Sequence, residues 1–404
     1  MANPAARTAL VALAATLAIQ IFTSLTVAAP AVLAPVLAPD LGLTTQWIGV
    51  FIGLVYAGAM LGSLASGGFI ARFGSIRLSQ ICVLLSVVGT VLMALLPPAA
   101  APVLIGVALL LGIGYGPITP ASSAVLVRTT PPAQMALTFS IKQTGVPAGT
   151  ALAGALMPGI ALLAGWRGAL LAVAMLGLAV AAAAQPTRRA LDTHHQPGTR
   201  FSLADLFRPL RIVMANRTLR ALSLTGFAFA AVQVCLSSFL VVFLHVTLQW
   251  TLVAAGLALT CATISAMIAR ICWGVVADRW LPPRRVLGLI GLLAAGSGLT
   301  MALAGTEWPV WLVLLVSALY GGSAIGWNGV QLAELARQSH PGTAGAVTGA
   351  SGFVTFAGVV AGPPIFAGLA GLTGSYRVGF IAAAAISGLA AAALLLPRRS
   401  RMDR

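Results

Sequence analysis

Long apolar stretches constrain this chain more than any other feature. About 20 consecutive apolar residues cross the hydrocarbon layer of a bilayer as one helix. Charged residues make up only 7% of the chain, against roughly 25% in soluble proteins, which excludes a soluble enzyme or binding module. The sequence therefore predicts an all-α polytopic membrane protein with twelve transmembrane helices, at about 9–37, 46–71, 78–97, 102–128, 136–163, 167–186, 218–246, 251–279, 284–304, 309–337, 343–371 and 375–396.

The basic residues predict the orientation of these helices. Of the 23 lysines and arginines, 20 fall on the side of the bilayer that both termini share, counting Arg270 just inside helix 8, and only Arg167 and Arg377 fall on the other. The single lysine, Lys142, lies inside the fifth predicted helix. Because positive residues are retained on the cytoplasmic side, we expect a multi-pass protein of the inner (plasma) membrane with both termini cytoplasmic. The net charge of +16 then needs no nucleic-acid partner.

The chain divides into two similar halves. Its longest polar stretch predicts a cytoplasmic basic linker at 187–217, between an N-terminal six-helix bundle (1–186) and a C-terminal bundle (218–404) that ends in a short basic cytoplasmic tail. Residues 67–72 align with 274–279 at an offset of about 207–210. Two pseudo-symmetric six-helix bundles are typical of transporters, which bind substrate between them near the midplane.

At these repeated residues the chain resembles the major facilitator superfamily (MFS). The signature of that family, between helices 2 and 3, contains a glycine, an Asp-Arg pair and further basic residues. The second copy in this chain contains the glycine, the Asp-Arg pair and the further basic residues, whereas Ala71 replaces the aspartate in the first copy. In the family this acid docks on a helix of the other half and latches the outward-open state. The resemblance, together with the charges that end helix 10, implies a gate formed by Arg72, Gly74, Arg77, Gly274, Asp278, Arg279, Arg284, Arg285, Glu334 and Arg337.

Two cations lie within predicted helices, where an ionisable side chain costs about 2.5–3.5 kcal/mol to insert. Arg270 and Gly274 in helix 8 resemble the Arg-x-x-x-Gly pattern of the branch that holds oxalate/formate exchangers and monocarboxylate transporters. In that branch the arginine contacts the substrate carboxylate. Helices 5 and 8 face each other in the fold that the chain resembles, so Lys142 and Arg270 are expected to flank one cavity. Alternatively, both hold the cytoplasmic gate by binding carbonyls at helix ends.

Uncharged polar groups within the predicted helices complete the candidate site. The resemblance implies a cavity lined by helices 1, 4, 7 and 10, and interhelical hydrogen bonding is the alternative role for each polar residue. Glu334 is either a proton-coupling carboxylate or a gate residue paired with Arg279 or Arg270, and its position near a helix end favours the gate. Besides Arg270 and Lys142, the predicted substrate-binding residues are Gln20, Tyr115, Gln143, Gln233, Trp327 and Asn328.

The absence of certain sequence motifs indicates the source of energy. No phosphate-binding loop surrounds Lys142, and the HExxH and GxSxG hydrolase motifs are absent. We therefore expect a secondary transporter rather than an enzyme, without cofactor or metal, that acts as a monomer on a small organic anion by proton symport or anion exchange. Lys142 is a candidate proton carrier, since a buried lysine readily loses its proton. Proton-driven drug efflux and a non-transporting sensor remain alternatives, although efflux favours a buried acid and a sensor an added soluble domain.

Overall fold

The computed structural model describes residues 4–43, 47–97, 101–192 and 207–395, and within these ranges all regular structure is helical. The predicted basic tail and residues 193–206 of the predicted linker lie outside this part of the chain. The helices are α1 (Pro4–Asp40), α2 (Trp47–Phe73), α3 (Ser75–Ala94), α4 (Ala101–Tyr115), α5 (Ile118–Thr129), α6 (Met135–Gln143), α7 (Gly145–Leu191), α8 (Arg208–Ala215), α9 (Arg217–Val246), α10 (Leu252–Arg279), α11 (Pro283–Leu303), α12 (Val310–Ala324), α13 (Asn328–Arg337), α14 (Ala344–Thr373) and α15 (Tyr376–Leu395).

These helices form twelve membrane crossings. The described residues contain eleven apolar helical segments long enough to cross, one of which covers 60 residues, Pro132–Leu191. At 1.5 Å per residue that segment would be about 90 Å long, three times the hydrocarbon thickness. Gly165 interrupts it with a left-handed φ of 71°, and there the chain turns back. Trp166 accordingly contacts Asp40 at the end of α1, and Asp192 contacts the start of α3. The predicted twelve transmembrane helices are confirmed.

Two crossings are broken at equivalent positions. The fourth passes from α4 to α5 at Gly116 and Pro117, and the tenth passes from α12 to α13 at Gly326 and Trp327. Gly116 and Gly326 are 210 positions apart, which matches the offset of the sequence repeat. A proline lacks the N–H that a continuous helix would use, and this explains the first break. The fold is thus two six-helix bundles, α1–α7 and α9–α15, with α8 between them.

The two bundles contact each other on one side of the membrane. We call the side on which α7 ends and α9 begins the linker side. The short segments α5, α6 and α13 all lie there, where α6 packs against α10 and α13 while α14 packs against α2 and α5. One apolar core fills the first bundle and continues across this contact to Val330 and Val347. A second core, around Phe243 and Phe380, fills the opposite part of the second bundle.

Candidate functional site

A cavity of about 120 Å³ lies between the two bundles, above their contact on the linker side. Helices from both halves line it, including α2, α4, α9, α10 and α14. Six of the eight predicted substrate-binding residues are among the lining residues: Tyr115, Gln143, Gln233, Arg270, Trp327 and Asn328. The other two, Lys142 and Gln20, are buried behind this wall within the first bundle.

Arg270 joins the two halves at the bottom of the cavity. Its Nη1 donates to the backbone oxygen of Gln143 at 2.5 Å, across the interface between bundles. Its Nη2 donates to the backbone oxygen of Ile325 at 2.7 Å and to Asn328 Oδ1 at 2.9 Å, both within its own bundle. The side chain is only 2% exposed. The guanidinium therefore ties the junction between α6 and α7, in the fifth crossing, to the break between α12 and α13, in the tenth.

The sequence explains why these carbonyls accept a side chain. In a continuous helix the carbonyl of Gln143 would accept from the backbone N–H four residues later. That residue is Pro147, which has no N–H. Ile325 lies in the break between α12 and α13. Helix interruptions thus supply the carbonyl oxygens, and a buried arginine satisfies them.

Lys142 lies directly behind Gln143 and faces into the first bundle. Its Nζ donates to Gln20 Oε1 at 2.6 Å, Gln143 Oε1 at 3.1 Å and Thr119 Oγ1 at 3.3 Å. Three acceptors match the three N–H groups of an ammonium. Of the two cations expected to flank one cavity, only Arg270 lines it. Arg270 faces the cavity and binds the Gln143 backbone, whereas Lys142 is enclosed and binds the Gln143 side chain.

The remaining predicted residues form two polar and aromatic parts of the cavity wall, one around Trp327 and one around Tyr115. Trp327 is 1% exposed and donates from Nε1 to Gln233 Oε1 at 3.2 Å. Tyr115 packs against Tyr56 and Phe356, with ring centroids 6.5 Å and 6.2 Å away. Aromatic faces and amide groups beside an arginine can hold a small molecule that has both a charged and an apolar part.

Sequence reasoning missed the contribution of α2 and α14, because it considered only helices 1, 4, 7 and 10 and the residues Lys142, Gln143 and Arg270 on helices 5 and 8. No described residue of α1 is among those that line the cavity. Ser63 Oγ on α2 instead donates to the Gly349 backbone oxygen on α14 at 2.9 Å, across the interface. The available signal was a small residue at every third or fourth position of both helices, which permits close packing. The missed lining residues with polar or aromatic side chains are Tyr56, Ser63, Thr119, Gln331, Thr348, Ser351, Thr355 and Phe356.

The second copy of the family signature forms a contact between halves on the linker side. Asp278 accepts from the backbone N–H of Ala136 at 3.0 Å and Leu137 at 2.8 Å, in the first turn of α6. Arg337 donates to Asp278 at 2.7 Å. A carboxylate at a helix N-terminus satisfies free donors and the positive end of the helix dipole. A Cβ at Gly274 would lie 2.9 Å from Leu137 Cα, so the close approach requires glycine.

The first copy acts within its own half. Gly74 has a φ of +86°, and a Cβ there would overlap Asp192. Asp192 accepts from the backbone N–H of Ile76 at 2.8 Å and Arg77 at 2.9 Å, at the start of α3. Arg72 lies over the ring of Phe73, 5.3 Å from its centroid. Gly74 and Arg77 thus shape the turn into α3.

The other predicted gate residues are dispersed. The predicted pairing of Glu334 with Arg279 or Arg270 is wrong, because Glu334 Oε1 accepts from Gln338 at 2.9 Å on the same face of the helix while Arg270 is bound to helix-break carbonyls. Arg279 and Arg285 are exposed. Arg284 donates to the Ala393 backbone oxygen at 3.2 Å, away from the contact between halves.

Comparison with known proteins agrees with this architecture. The sequence profile of the Major Facilitator Superfamily matches residues 15–363. The chain belongs to this superfamily. It is accordingly a transporter, as predicted, and not an enzyme. No curated protein sequence matches it.

Solved structures of transporters are similar over nearly the whole chain. The human organic anion transporter MFSD10 (TETRAN) is 18% identical with a TM-score of 0.72, and the match covers 97% of this chain and 100% of that one. A variant of the E. coli fucose:proton symporter FucP is 15% identical with a TM-score of 0.71, covering 96% and 98%. FucP in the outward conformation is 14% identical with a TM-score of 0.72, again covering 96% and 98%. At these identities the similarity defines the fold.

Proposed function

We propose that the chain is a secondary transporter of a small organic anion, most simply a carboxylate, which it moves by alternating access. The observation that carries the proposal is the charge of the cavity. Arg270 is the one charged side chain among the described lining residues, and Lys142 lies behind the neighbouring Gln143. An anion would enter a field set by two cations.

The distribution of acids supports the same substrate class. Every acidic residue that the structure describes lies at a helix end or in a loop: Asp40, Asp192, Asp278, Glu307 and Glu334. Efflux of cationic drugs favours a buried carboxylate in the protein. No described acid lies in the middle of a crossing, so a carboxylate in the site would come from the substrate. A guanidinium binds a carboxylate through two parallel hydrogen bonds, which makes Arg270 the better anchor of the two cations.

The cavity also limits substrate size. Sites for drug-sized ligands usually measure about 300–1,000 Å³, whereas this one measures about 120 Å³. We propose that the carboxylate binds Arg270 and that Gln143, Gln233 and Asn328 contact the remaining polar groups. Tyr115 and Trp327 would then cover the apolar part of the substrate.

The orientation is a further part of the proposal. The linker side, which carries most of the arginines, would face the cytoplasm of a cell with this protein in its inner membrane. Bundles 1–186 and 218–404 would rock about the cavity, with 187–217 as a cytoplasmic linker. In this orientation the Asp278 contact closes the cytoplasmic side.

The structural neighbours do not by themselves select a substrate class. One is an organic anion transporter and another is a fucose:proton symporter, and their TM-scores to this chain, 0.72 and 0.71, are nearly the same. The anion proposal agrees with the first, but its support is the charge around Arg270. The more specific resemblance to oxalate/formate and monocarboxylate carriers rests on Arg270 and Gly274 alone.

Counterflow in proteoliposomes tests the proposal. Vesicles loaded with single unlabelled mono- or dicarboxylates are mixed with a labelled trace of the same compound. We expect at least one to exchange, and Arg270→Gln to reduce the initial rate more than 100-fold, since a charged hydrogen bond is worth about 1.5–3 kcal/mol and two are lost. Arg270→Lys should keep part of the rate, because it keeps the charge without the bidentate geometry.

Arg211→Gln is the matched control, because Arg211 is an exposed arginine of α8; it should leave the rate unchanged. No counterflow with any carboxylate, or full activity of Arg270→Gln, would contradict the proposal. A pH gradient that drives uptake into empty vesicles would indicate proton symport, whereas a requirement for internal anion would indicate exchange.

A further inference from the structure

A second cavity, separate from the one between the bundles, lies on the outer surface of the C-terminal bundle. It is a groove of about 570 Å³ between α9 and α15. Arg217 and Arg220 of α9 and Arg284 of α11 line its linker-side end. No acidic side chain is among the described residues of its walls. The described walls therefore give the groove a strongly positive end.

Below the arginines the groove is apolar. Leu224 is 52% exposed and Leu389 is 71% exposed, so both present hydrocarbon to the bilayer. On α9 the lining extends from Arg217 to Ala228, or about 16 Å along the helix axis at 1.5 Å per residue. One leaflet contributes about half of a 30 Å hydrocarbon layer. The whole groove, arginines included, thus spans about one leaflet, and its apolar part from Ala221 to Ala228, about 10 Å at the same rise, lies within that leaflet.

Backbone contacts hold two of the arginines in place. Arg220 Nη1 donates to the Met214 backbone oxygen at 3.2 Å, and Arg284 Nη2 donates to the Ala393 backbone oxygen at 3.2 Å. Ala393 lies in the last turn of α15, which is one wall of the groove. These guanidiniums are therefore fixed to helix ends at the level where headgroups begin.

We propose that this groove binds an anionic phospholipid of the linker-side leaflet. The phosphate contacts Arg217, Arg220 and Arg284, and one acyl chain lies along Leu224 and Leu389. Basic pockets between transmembrane helices bind phosphate headgroups in this way. All walls belong to the second bundle, so the lipid moves with that bundle and does not enter the transport cavity. The proposal does not depend on the identity of the transported substrate.

Native mass spectrometry of the full chain in detergent measures this binding. Phosphatidylglycerol is titrated against phosphatidylcholine with the same acyl chains. We expect the wild type to prefer phosphatidylglycerol, and Arg217→Gln/Arg220→Gln/Arg284→Gln to weaken its binding on the order of 100-fold, since each arginine near an anionic surface contributes about 1 kcal/mol. The control Arg189→Gln/Arg208→Gln/Arg211→Gln removes the same charge from exposed linker-side positions and should keep the preference.

Ala221→Trp separates the lipid from a free phosphate. It fills the groove below the arginines and leaves all three charges, so it should exclude phosphatidylglycerol by at least tenfold even if the triple variant fails to fold. Excess glycerol 3-phosphate should not displace the lipid. Equal retention of both lipids by the wild type, equal losses in the two triple variants, unchanged binding in Ala221→Trp, or displacement by glycerol 3-phosphate would each overturn the proposal.

Discussion

Restoring the missing acid of the first signature copy should strengthen closure on the linker side. Asp278 caps α6 by accepting from its second and third residues, Ala136 and Leu137. At an offset of 209 the equivalent donors are Gly345 and Ala346, the second and third residues of α14. No side chain caps that helix. Ala71, the residue equivalent to Asp278, lines the same cavity of about 270 Å³ as both donors.

The partner of the missing acid is also present. Asp278 pairs with Arg337, and the residue 209 positions earlier is Arg128, which lines the same cavity as Ala71. Capping two backbone donors is worth about 0.5–2 kcal/mol, and a partly exposed ion pair adds about 0.2–1 kcal/mol. The sum, about 1–3 kcal/mol, is a 5- to 150-fold shift toward the closed linker side. Since Arg128 already donates to the Leu191 backbone oxygen, we expect the lower half of this range.

Spin labels on the two halves measure this shift. Ala190 and Trp280 are exposed at the linker-side ends of α7 and α10 and can be labelled after replacement of the four native cysteines. Ala71→Asp should increase the short-distance population, and Asp278→Asn should decrease it. The double variant should recover part of the loss. Ala71→Leu, which fills space without an acceptor, is the control. An unchanged or longer distance in Ala71→Asp, or an equal gain in Ala71→Leu, would refute the proposed equivalence.

Three further substitutions probe the linker-side contact, the residues behind the cavity wall and the turn after Gly165. Gly274→Val should lengthen the same spin-label distance, because a Cβ there already meets Leu137 Cα at 2.9 Å; an unchanged distance would contradict the close approach. Lys142→Met leaves buried oxygens unpaired, at about 1–3 kcal/mol each, so the apparent melting temperature should fall by several degrees, and an unchanged value would show that Lys142 contributes little. Arg167→Gln removes an ion pair with Asp40 whose partners are 42% and 46% exposed. Counterflow should stay within twofold of the wild type, and a larger loss would assign this pair a role in transport.

The fold could be predicted closely because each crossing is encoded in its own segment. The predicted seventh helix, 218–246, differs from α9 (Arg217–Val246) by one residue. The breaks in the fourth and tenth crossings were not predicted, although Gly116 and Pro117 mark the first of them. Apolar content reveals where a chain crosses a bilayer, but it does not reveal whether the crossing is one helix or two.

The site was harder to predict because side-chain direction depends on packing. Lys142 and Gln143 are adjacent, yet a helix turns by about 100° per residue, so the lysine faces the first bundle and the glutamine faces the cavity. The distance of Lys142 and Arg270 from the predicted helix ends placed both at a similar depth in the membrane, but it did not show which of them lines the site. The spacing from Gln143 to Pro147 does mark a free carbonyl, and it would have indicated a partner for Arg270.

Substrate binding and gating at Arg270 need not be alternative roles. The Arg270 guanidinium holds the Gln143 carbonyl of one half and the Ile325 carbonyl of the other, and neither acceptor carries a charge. A carboxylate is a stronger acceptor for a guanidinium than a neutral carbonyl, so an anion in the cavity would compete for the bond that joins the halves. By linkage, an anion that weakens this contact must bind more tightly when the linker side is open. The same competition would favour release of the linker-side contact when the cavity is occupied, which is the coupling that anion exchange requires.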